Sequence, residues 1–153
     1  MTCLIDTNVA LRWVQRHAPE HPQAVEAIRH LLSIGVEGVM TSQNLAEFWS
    51  VATRPLEANG LNWSVDRAQQ AISDLESLFA VLHESERVYQ EWKRLVHLYH
   101  VGGRQVYDAR LAAFVCAYGI DWLLTFNVED FRRYTEIQVV HPREAVQQIR
   151  FGI

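Results

Sequence analysis

Short apolar runs alternate with longer helical stretches along the chain, and this alternation constrains the fold more than any other feature. Apolar runs predict strands at residues 3–5, 38–41, 79–82, 122–125 and 137–140. Helical spacing of apolar residues predicts helices over residues 8–15, 22–32, 43–53, 65–77, 85–99 and 106–118. Because near-continuous apolar strands need cover on both faces, the sequence predicts a three-layer α/β/α fold with a central parallel sheet of four to five strands.

Length and composition predict one domain spanning residues 1–153. The chain is 49% hydrophobic and 21% charged, which excludes a disordered tail, a collagen-like repeat and a coiled coil. Ser42 and Ser64 are predicted helix N-caps, and Gly119 is predicted to end the helix before it. Five bulky apolar residues lie outside the polar motifs described below, and we expect core packing for most of them, with a groove or a dimer surface as the alternative. They are Leu11, Trp13, Trp49, Leu61 and Trp63.

The sequence also predicts the cellular compartment. No apolar run approaches the roughly 18–20 residues that a membrane helix needs, and Met1 leads directly into the first predicted strand without a basic and then apolar signal segment. We therefore expect a cytoplasmic protein without membrane contact. Cys3 and Cys116 lie far apart in apolar segments, which favours buried reduced thiols over a disulfide.

Carboxylates and small polar residues gather where predicted strands end. Asp6 follows the first strand, at the edge where parallel sheets bind ligands, although Asp6, Thr7 or Asn8 could equally cap the next helix. Asp108 shares a helix face with buried positions, and helix capping is again the alternative. Glu47 lies on a polar helix face, which is most often simply solvated.

A second polar group follows the predicted strand that ends at Thr125. Asn127, Glu129 and Asp130 lie there, and all three are also typical turn residues. Several carboxylates at one sheet edge repel each other and become tolerable together when cations lie between them. Oxygen ligands select Mg²⁺ or Mn²⁺, and the sequence contains no Cys/His cluster that would suggest zinc.

The order of these segments resembles the PIN domain family, specifically its VapC-type toxin ribonucleases. The similar segments are Leu4-Ile5-Asp6-Thr7-Asn8, Asn44-Leu45-Ala46-Glu47-Phe48, Tyr107-Asp108-Ala109-Arg110-Leu111-Ala112-Ala113 and Leu124-Thr125-Phe126-Asn127-Val128-Glu129-Asp130-Phe131. Each segment alone is a weak signal, but four in the family's order and spacing are specific.

The resemblance implies a PIN-like fold and a Mg²⁺- or Mn²⁺-dependent endoribonuclease. By this likeness Asp6, Glu47 and Asp108 form the acidic metal site. Asn127 stands at the fourth family position, where many members have Asp, so Asp130 contributes in its place or one metal position is weak. The polar positions that orient the carboxylates or the scissile phosphate would be Thr7, Asn8 and Thr125.

Two arginines and several partners complete the predicted site. Arg104 and Arg110 flank Asp108 and are candidate phosphate contacts, with surface ion pairing as the alternative. The resemblance implies an RNA substrate, a small antitoxin protein as inhibitor and a homodimer. Without the four candidate carboxylates Asp6, Glu47, Asp108 and Asp130, the formal net charge of -4 becomes 0. The excess negative charge can therefore be assigned to a site that would hold cations, and we expect RNA binding to depend on the metal.

Three competing functions stay open at this point. The Asn127 substitution is compatible with a non-catalytic PIN-like module that binds RNA or a partner. A housekeeping RNA-processing nuclease would use the same chemistry as a toxin. A phosphatase with Asp6 as nucleophile ranks last, because Asn8 stands where a second Asp is expected and Lys93 is the only lysine.

Overall fold

A computed structural model describes residues 1–150 of the protein, and the predicted domain's last three residues, 151–153, lie outside that range. Within residues 1–150 the chain forms five β-strands and seven α-helices. In chain order these are β1 (Thr2–Ile5), α1 (Thr7–Val14), α2 (His21–Ser33), β2 (Glu37–Thr41), α3 (Ser42–Thr53), α4 (Val65–Leu78), β3 (Ala80–Leu82), α5 (Glu86–Leu98), α6 (Val106–Tyr118), β4 (Trp122–Leu124), β5 (Val139–Val140) and α7 (Ala145–Gln148).

The five strands form one parallel sheet in the order β3-β2-β1-β4-β5. β1 lies at the centre and is buried on both faces: Cys3 and Ile5 enter one core cluster, whereas Leu4 enters the other. This double burial explains why β1 is a continuous apolar run rather than an alternating one. From β1 the chain builds outward through β2 and β3, and later returns to add β4 and β5 on the other side.

Helices cover both faces of the sheet, which confirms the predicted three-layer architecture. The first core cluster receives side chains of α1, α2, α3, α4 and α7, whereas the second receives those of α5 and α6. The five bulky residues outside the motifs all pack, partly buried, against the first cluster. Three of them, Trp13, Leu61 and Trp63, also line an open groove of about 1060 Å³ beside α1 and α4. Core packing and a groove therefore coexist here.

The predicted helix boundaries are correct to within one residue at the start of each helix, with one wrong cap. Ser64 caps α4 by accepting a hydrogen bond from the Arg67 amide, and Gly119 ends α6 with φ at +64°. Ser42 is not a cap, because α3 begins at Ser42 itself and Thr41 is its N-cap. The sequence predicts Thr41 as the last residue of a strand, but its hydroxyl also makes it an effective helix cap.

The prediction that the two cysteines are free is confirmed, and the prediction that both are buried is confirmed only for Cys3. Both thiols are free, but only Cys3 is buried and Cys116 is half-buried. In residues 1–150 no helix is long and apolar enough to cross a membrane.

The sheet topology creates a crevice at the carboxyl ends of β1 and β4. The order of strands reverses at β1, because β2 follows on one side and β4 lies on the other. In open α/β sheets the loops diverge at such a point and leave room for a ligand. Asp6 and Thr125 directly follow β1 and β4, so both lie at this crevice.

Candidate active site

Asp6 occupies the crevice and is held there by three hydrogen-bond donors. Its Oδ1 accepts the Thr7 amide at 2.7 Å, which makes Asp6 the N-cap of α1. Its Oδ2 accepts the Thr125 hydroxyl at 2.8 Å and the Asn8 amide nitrogen Nδ2 at 3.2 Å. The side chain is buried, with 7% of the residue exposed. The two interpretations of Asp6, as helix cap and as site carboxylate, are therefore compatible in one residue.

Thr7 joins the first helix to Glu47 on α3. Its hydroxyl donates to Glu47 Oε2 at 2.9 Å and accepts the Asn44 side-chain amide at 3.0 Å. The Gln43 amide reaches the other Glu47 oxygen, Oε1, at 3.0 Å. Glu47 is exposed, as its polar helix face predicts, but it is not merely solvated, because Thr7 and Gln43 fix both carboxylate oxygens.

Asp108 lies half-buried in the first turn of α6, where the charges of Asp130 and Glu47 act on its carboxylate. The pKa of Asp6 is raised to about 6, mainly by burial; the nearby Glu47 and Asp108 carboxylates add to this rise, and the hydrogen bonds from Thr125 and Thr7 oppose it. Burial likewise raises the pKa of Asp108 to about 6, with Asp130 and Glu47 acting in the same direction. The four candidate carboxylates thus form one electrostatically linked group.

The segment after β4 supplies positioning groups. The Thr125 hydroxyl accepts the Asn127 backbone amide at 3.0 Å, and Asn8 Oδ1 accepts the Phe126 amide at 3.1 Å. Asn8 and Thr125 also contact each other at 3.1 Å. The Asn127 and Asp130 side chains are exposed. Asp130 is linked to the acidic group because its charge raises the pKa of Asp108. Asn127 is linked to the group only by the hydrogen bond from its backbone amide to Thr125.

The two predicted arginine contacts differ from expectation. Arg110 forms an ion pair with Glu84 and donates to Gln43 Oε1 at 2.6 Å, so it braces the residue that holds Glu47. Arg104 is exposed and, within residues 1–150, has no ion pair or side-chain hydrogen bond. The cation that acts on Asp108 is instead Arg133, which lowers its pKa. Arg133 is 25 positions from Asp108 in the sequence, and no spacing rule points to it.

The donor set fits a hard divalent cation in its chemistry. Asp6, Glu47 and Asp108 offer only oxygen atoms, and a cation would relieve the repulsion that raises the two aspartate pKa values. In the part of the chain that the structure describes, however, no three His, Cys, Asp or Glu side chains lie close enough to hold one ion together. The carboxylates thus influence one another's pKa values, but they do not form a preassembled set of metal ligands.

The parallel sheet and the acidic group at its switch point define an α/β protein with an acid site at the carboxyl ends of its strands. The family model of the PIN domain matches residues 3–137, and the chain belongs to the PIN domain family. No curated protein sequence matches the chain.

Solved structures with a similar fold include toxin–antitoxin complexes and a toxin. VapBC-1 from nontypeable Haemophilus influenzae is 19% identical, with a TM-score of 0.71 over 93% of this chain and 98% of that chain. VapBC2 from Rickettsia felis, bound to a promoter DNA fragment, is 16% identical, with a TM-score of 0.70 over 92% and 98%. VapC20 from Mycobacterium tuberculosis, a toxin that cleaves the sarcin–ricin loop, is 18% identical, with a TM-score of 0.57 over 79% and 86%. At these identities the likeness establishes the fold.

Proposed function

We propose that this protein is a Mg²⁺- or Mn²⁺-dependent endoribonuclease that hydrolyses RNA phosphodiester bonds. The observation that carries the proposal is the linked group of Asp6, Glu47 and Asp108 at the switch point of a PIN domain, with two carboxyl pKa values raised to about 6. A structural role does not require three mutually repelling carboxylates at this edge. Perturbed carboxyl groups in a crevice are typical of functional sites.

The hydrogen bonds around Asp6 decide which of its atoms is available to a ligand. Oδ2 receives two donors, from Thr125 and Asn8, whereas Oδ1 receives only the Thr7 amide. Because each carboxylate oxygen has about two acceptor positions, Oδ1 keeps one for a cation. Because no three carboxylates in residues 1–150 lie close enough to hold one ion as they stand, Asp6, Glu47 and Asp108 would have to converge on it as it binds, with Asp130 nearby. Bound there, a Mg²⁺ or Mn²⁺ ion supplies an activated water and stabilises charge on the phosphate.

The remaining polar residues orient this group. Thr125 and Asn8 restrict rotation of the Asp6 carboxylate, and Thr7 fixes one carboxylate oxygen of Glu47. Such fixed orientation reduces the reorganisation needed when substrate binds. We assign Thr7, Asn8 and Thr125 to positioning, with contacts to the RNA phosphate as their additional predicted role.

We also propose that the protein is the toxin of a type II toxin–antitoxin pair and acts in the cytoplasm. Support comes from the fold shared with VapBC complexes and with the RNA-cleaving VapC20. Its partners would be a small antitoxin and a second copy of the chain. Light scattering after size exclusion tests the dimer: a monomer at every concentration would contradict it. A small DNA-binding protein encoded directly beside this gene would support the pairing.

The direct test of the nuclease is cleavage of labelled RNA by purified protein with Mg²⁺ or Mn²⁺. We expect cleavage by the wild type, loss of it with a chelator, and loss of it in Asp6→Asn and in Asp108→Asn. Both substitutions keep the side-chain shape and remove the charge. Equal cleavage by the wild type and both variants would refute the assignment.

A non-catalytic RNA- or partner-binding PIN module is the second candidate. It is favoured by the exposed Asn127 at a position where many family members have a charged ligand, and by the open spacing of the carboxylates in residues 1–150. This candidate predicts RNA binding without cleavage under any divalent ion. Asn127→Asp separates the two: it would create activity in a silent module, and would change an active enzyme only in degree.

A further inference from the structure

Arg133 lies beside the acidic group and is held in place there. It follows the short 3₁₀ turn Val128–Phe131, and its Nη2 donates to Gln105 Oε1 at 2.6 Å. Gln105 is the N-cap residue of α6, three positions before Asp108. This single hydrogen bond therefore ties the segment after β4 to the helix start that carries Asp108.

The neighbour of Arg133 keeps that segment rigid. The Tyr134 ring is buried, with 2% of the residue exposed, and it packs edge-on against Tyr99 with ring centroids 5.4 Å apart. It also contacts the Phe131 ring at 6.4 Å. Because the backbone on both sides of Arg133 is anchored by buried rings, its guanidinium loses little freedom when it binds a ligand.

The charge of Arg133 is not neutralised by an ion pair. Within residues 1–150 no carboxylate lies within 4.0 Å of it, whereas the adjacent Arg132 pairs with Glu129 at 2.6 Å. Arg110 likewise pairs with Glu84. Arg133 still acts on Asp108 at longer range, since its charge lowers the pKa of that carboxyl. Arg133 is thus a cation near the acidic group that, within residues 1–150, has a neutral hydrogen-bond partner in Gln105 and no carboxylate partner.

We infer that Arg133 binds a backbone phosphate of the RNA next to the scissile bond, an assignment that rests on the proposed nuclease function. An acidic group repels a polyanion, and a guanidinium near Asp108 offsets part of that repulsion. Of the five N–H donors of Arg133, Gln105 occupies one, so the planar fork keeps enough donors to bind a phosphate through two oxygens.

The test compares Arg133→Gln with the matched control Arg132→Gln. Binding of a fluorescent single-stranded RNA is followed by anisotropy at several salt concentrations, with Ca²⁺ in place of Mg²⁺ and the RNA checked for integrity. We expect Arg133→Gln to weaken binding about tenfold, the effect of one charge-assisted hydrogen bond, and to reduce the slope of log Kd against log salt by about 0.7. Arg132→Gln should leave both quantities unchanged.

Two further measurements separate phosphate binding from a structural role. Arg133→Lys should restore the salt slope, because it restores the charge, but should recover the affinity only in part, because it lacks the fork. Melting temperatures of all variants are compared in the same buffer. Equal binding and equal salt slopes for Arg133→Gln and the wild type would overturn the inference.

Failure of this inference and failure of the nuclease proposal give different results. A wild type that cleaves RNA while Arg133→Gln binds normally contradicts the role of Arg133 alone. A wild type that binds RNA through Arg133 without cleaving it contradicts the nuclease alone. A wild type that binds no RNA contradicts both.

Discussion

The starts of α1 and α3 share one local plan, in which a strand ends, a polar residue caps the next helix, and the helix turns back over the sheet. At α3 the cap is neutral: the Thr41 hydroxyl accepts the Asn44 amide at 3.0 Å, and the Asn44 side chain accepts the Thr41 amide at 3.1 Å. At α1 the cap is Asp6, whose pKa burial raises to about 6. Both cap residues are in the extended conformation, but one junction is closed by a neutral reciprocal pair and the other by a carboxylate that accepts the amide of the next residue.

This difference indicates that capping alone does not explain Asp6. Thr41 and Asn44 are fully buried and satisfy each other reciprocally, so a neutral cap suffices at a strand–helix junction of this sheet. A carboxylate that is destabilised where it stands has a function other than stability. The comparison therefore favours Asp6 as a cation ligand that caps α1 in addition.

The largest expected effect comes from making the α1 cap resemble the α3 cap. Asp6→Thr keeps a capping hydroxyl and removes the charge, and we expect RNA cleavage to fall by roughly a thousandfold, within the range seen when one preorganised electrostatic group is lost. Initial cleavage rates at saturating Mg²⁺ measure this. Circular dichroism serves as the fold control, and near-wild-type cleavage would mean that capping is the whole role of Asp6.

The reverse exchange tests the other half of the comparison. Thr41→Asp places a carboxylate at a fully buried position, against the Asn44 carbonyl oxygen Oδ1, which now accepts the Thr41 hydroxyl at 2.9 Å. We expect a loss of about 3 kcal/mol in the free energy of unfolding, because the Asn44 amide is a single donor and cannot offset the burial of a full charge. Denaturant titration measures it beside Thr41→Ser. A loss below about 0.5 kcal/mol would show that charge does not distinguish the two junctions.

The elevated pKa of Asp6 predicts a pH-dependent stability of definite sign. Between pH 3.8 and about 6 the native carboxyl is protonated while the unfolded one is ionised, so the native state binds more protons. The free energy of unfolding therefore falls as the pH rises through this window, by at most about 3 kcal/mol at neutral pH.

Asp6→Asn removes this pH dependence. In a chelator we expect the variant to be more stable than the wild type at pH 7, with the difference vanishing near pH 4. Urea titrations at both pH values check this expectation. A wild type that is the more stable protein at pH 7 would contradict the pKa and its physical cause.

The smallest expected effect concerns the hydrogen bond from Thr125. Thr125→Val removes the 2.8 Å bond to Asp6 Oδ2 and preserves the side-chain volume. Because that bond lowers the pKa of Asp6, we expect the acid limb of the cleavage profile to move to higher pH by about one unit and the rate at pH 7 to fall about twofold. Thr125→Ser should retain the wild-type profile, and an unshifted profile in Thr125→Val would remove Thr125 from the positioning group.

Features set by local burial were predictable from the sequence. The prediction of β1 is correct because both of its faces are buried, which produces a continuous apolar run. Asp6 and Thr125 were predictable as site residues because each lies at the carboxyl end of a predicted strand. The Thr41 cap was missed because a threonine at the end of a strand has no separate signature. α7 was missed because four residues are too few for helical periodicity.

Features set by contacts between distant segments were not predictable. The sequence places Glu47 on a polar face, but only the fold brings the Thr7 hydroxyl to it, across 40 positions. Arg133 reaches the α6 start through Gln105, 28 positions away. Such pairs leave no mark in spacing or periodicity, which describe a single element. The resemblance to the PIN domain family identified Glu47 as a site residue, but it did not point to Arg133.

The most direct test of the central claim, that the charge of Asp6 serves a cation, is calorimetric titration of the protein with Mn²⁺ at pH 7. The wild type and the neutral-cap control Thr41→Ser should both release or absorb a saturable heat. Asp6→Asn, which keeps the shape of the α1 cap, should give none. A saturable heat of equal size and affinity in Asp6→Asn and the wild type would contradict the account.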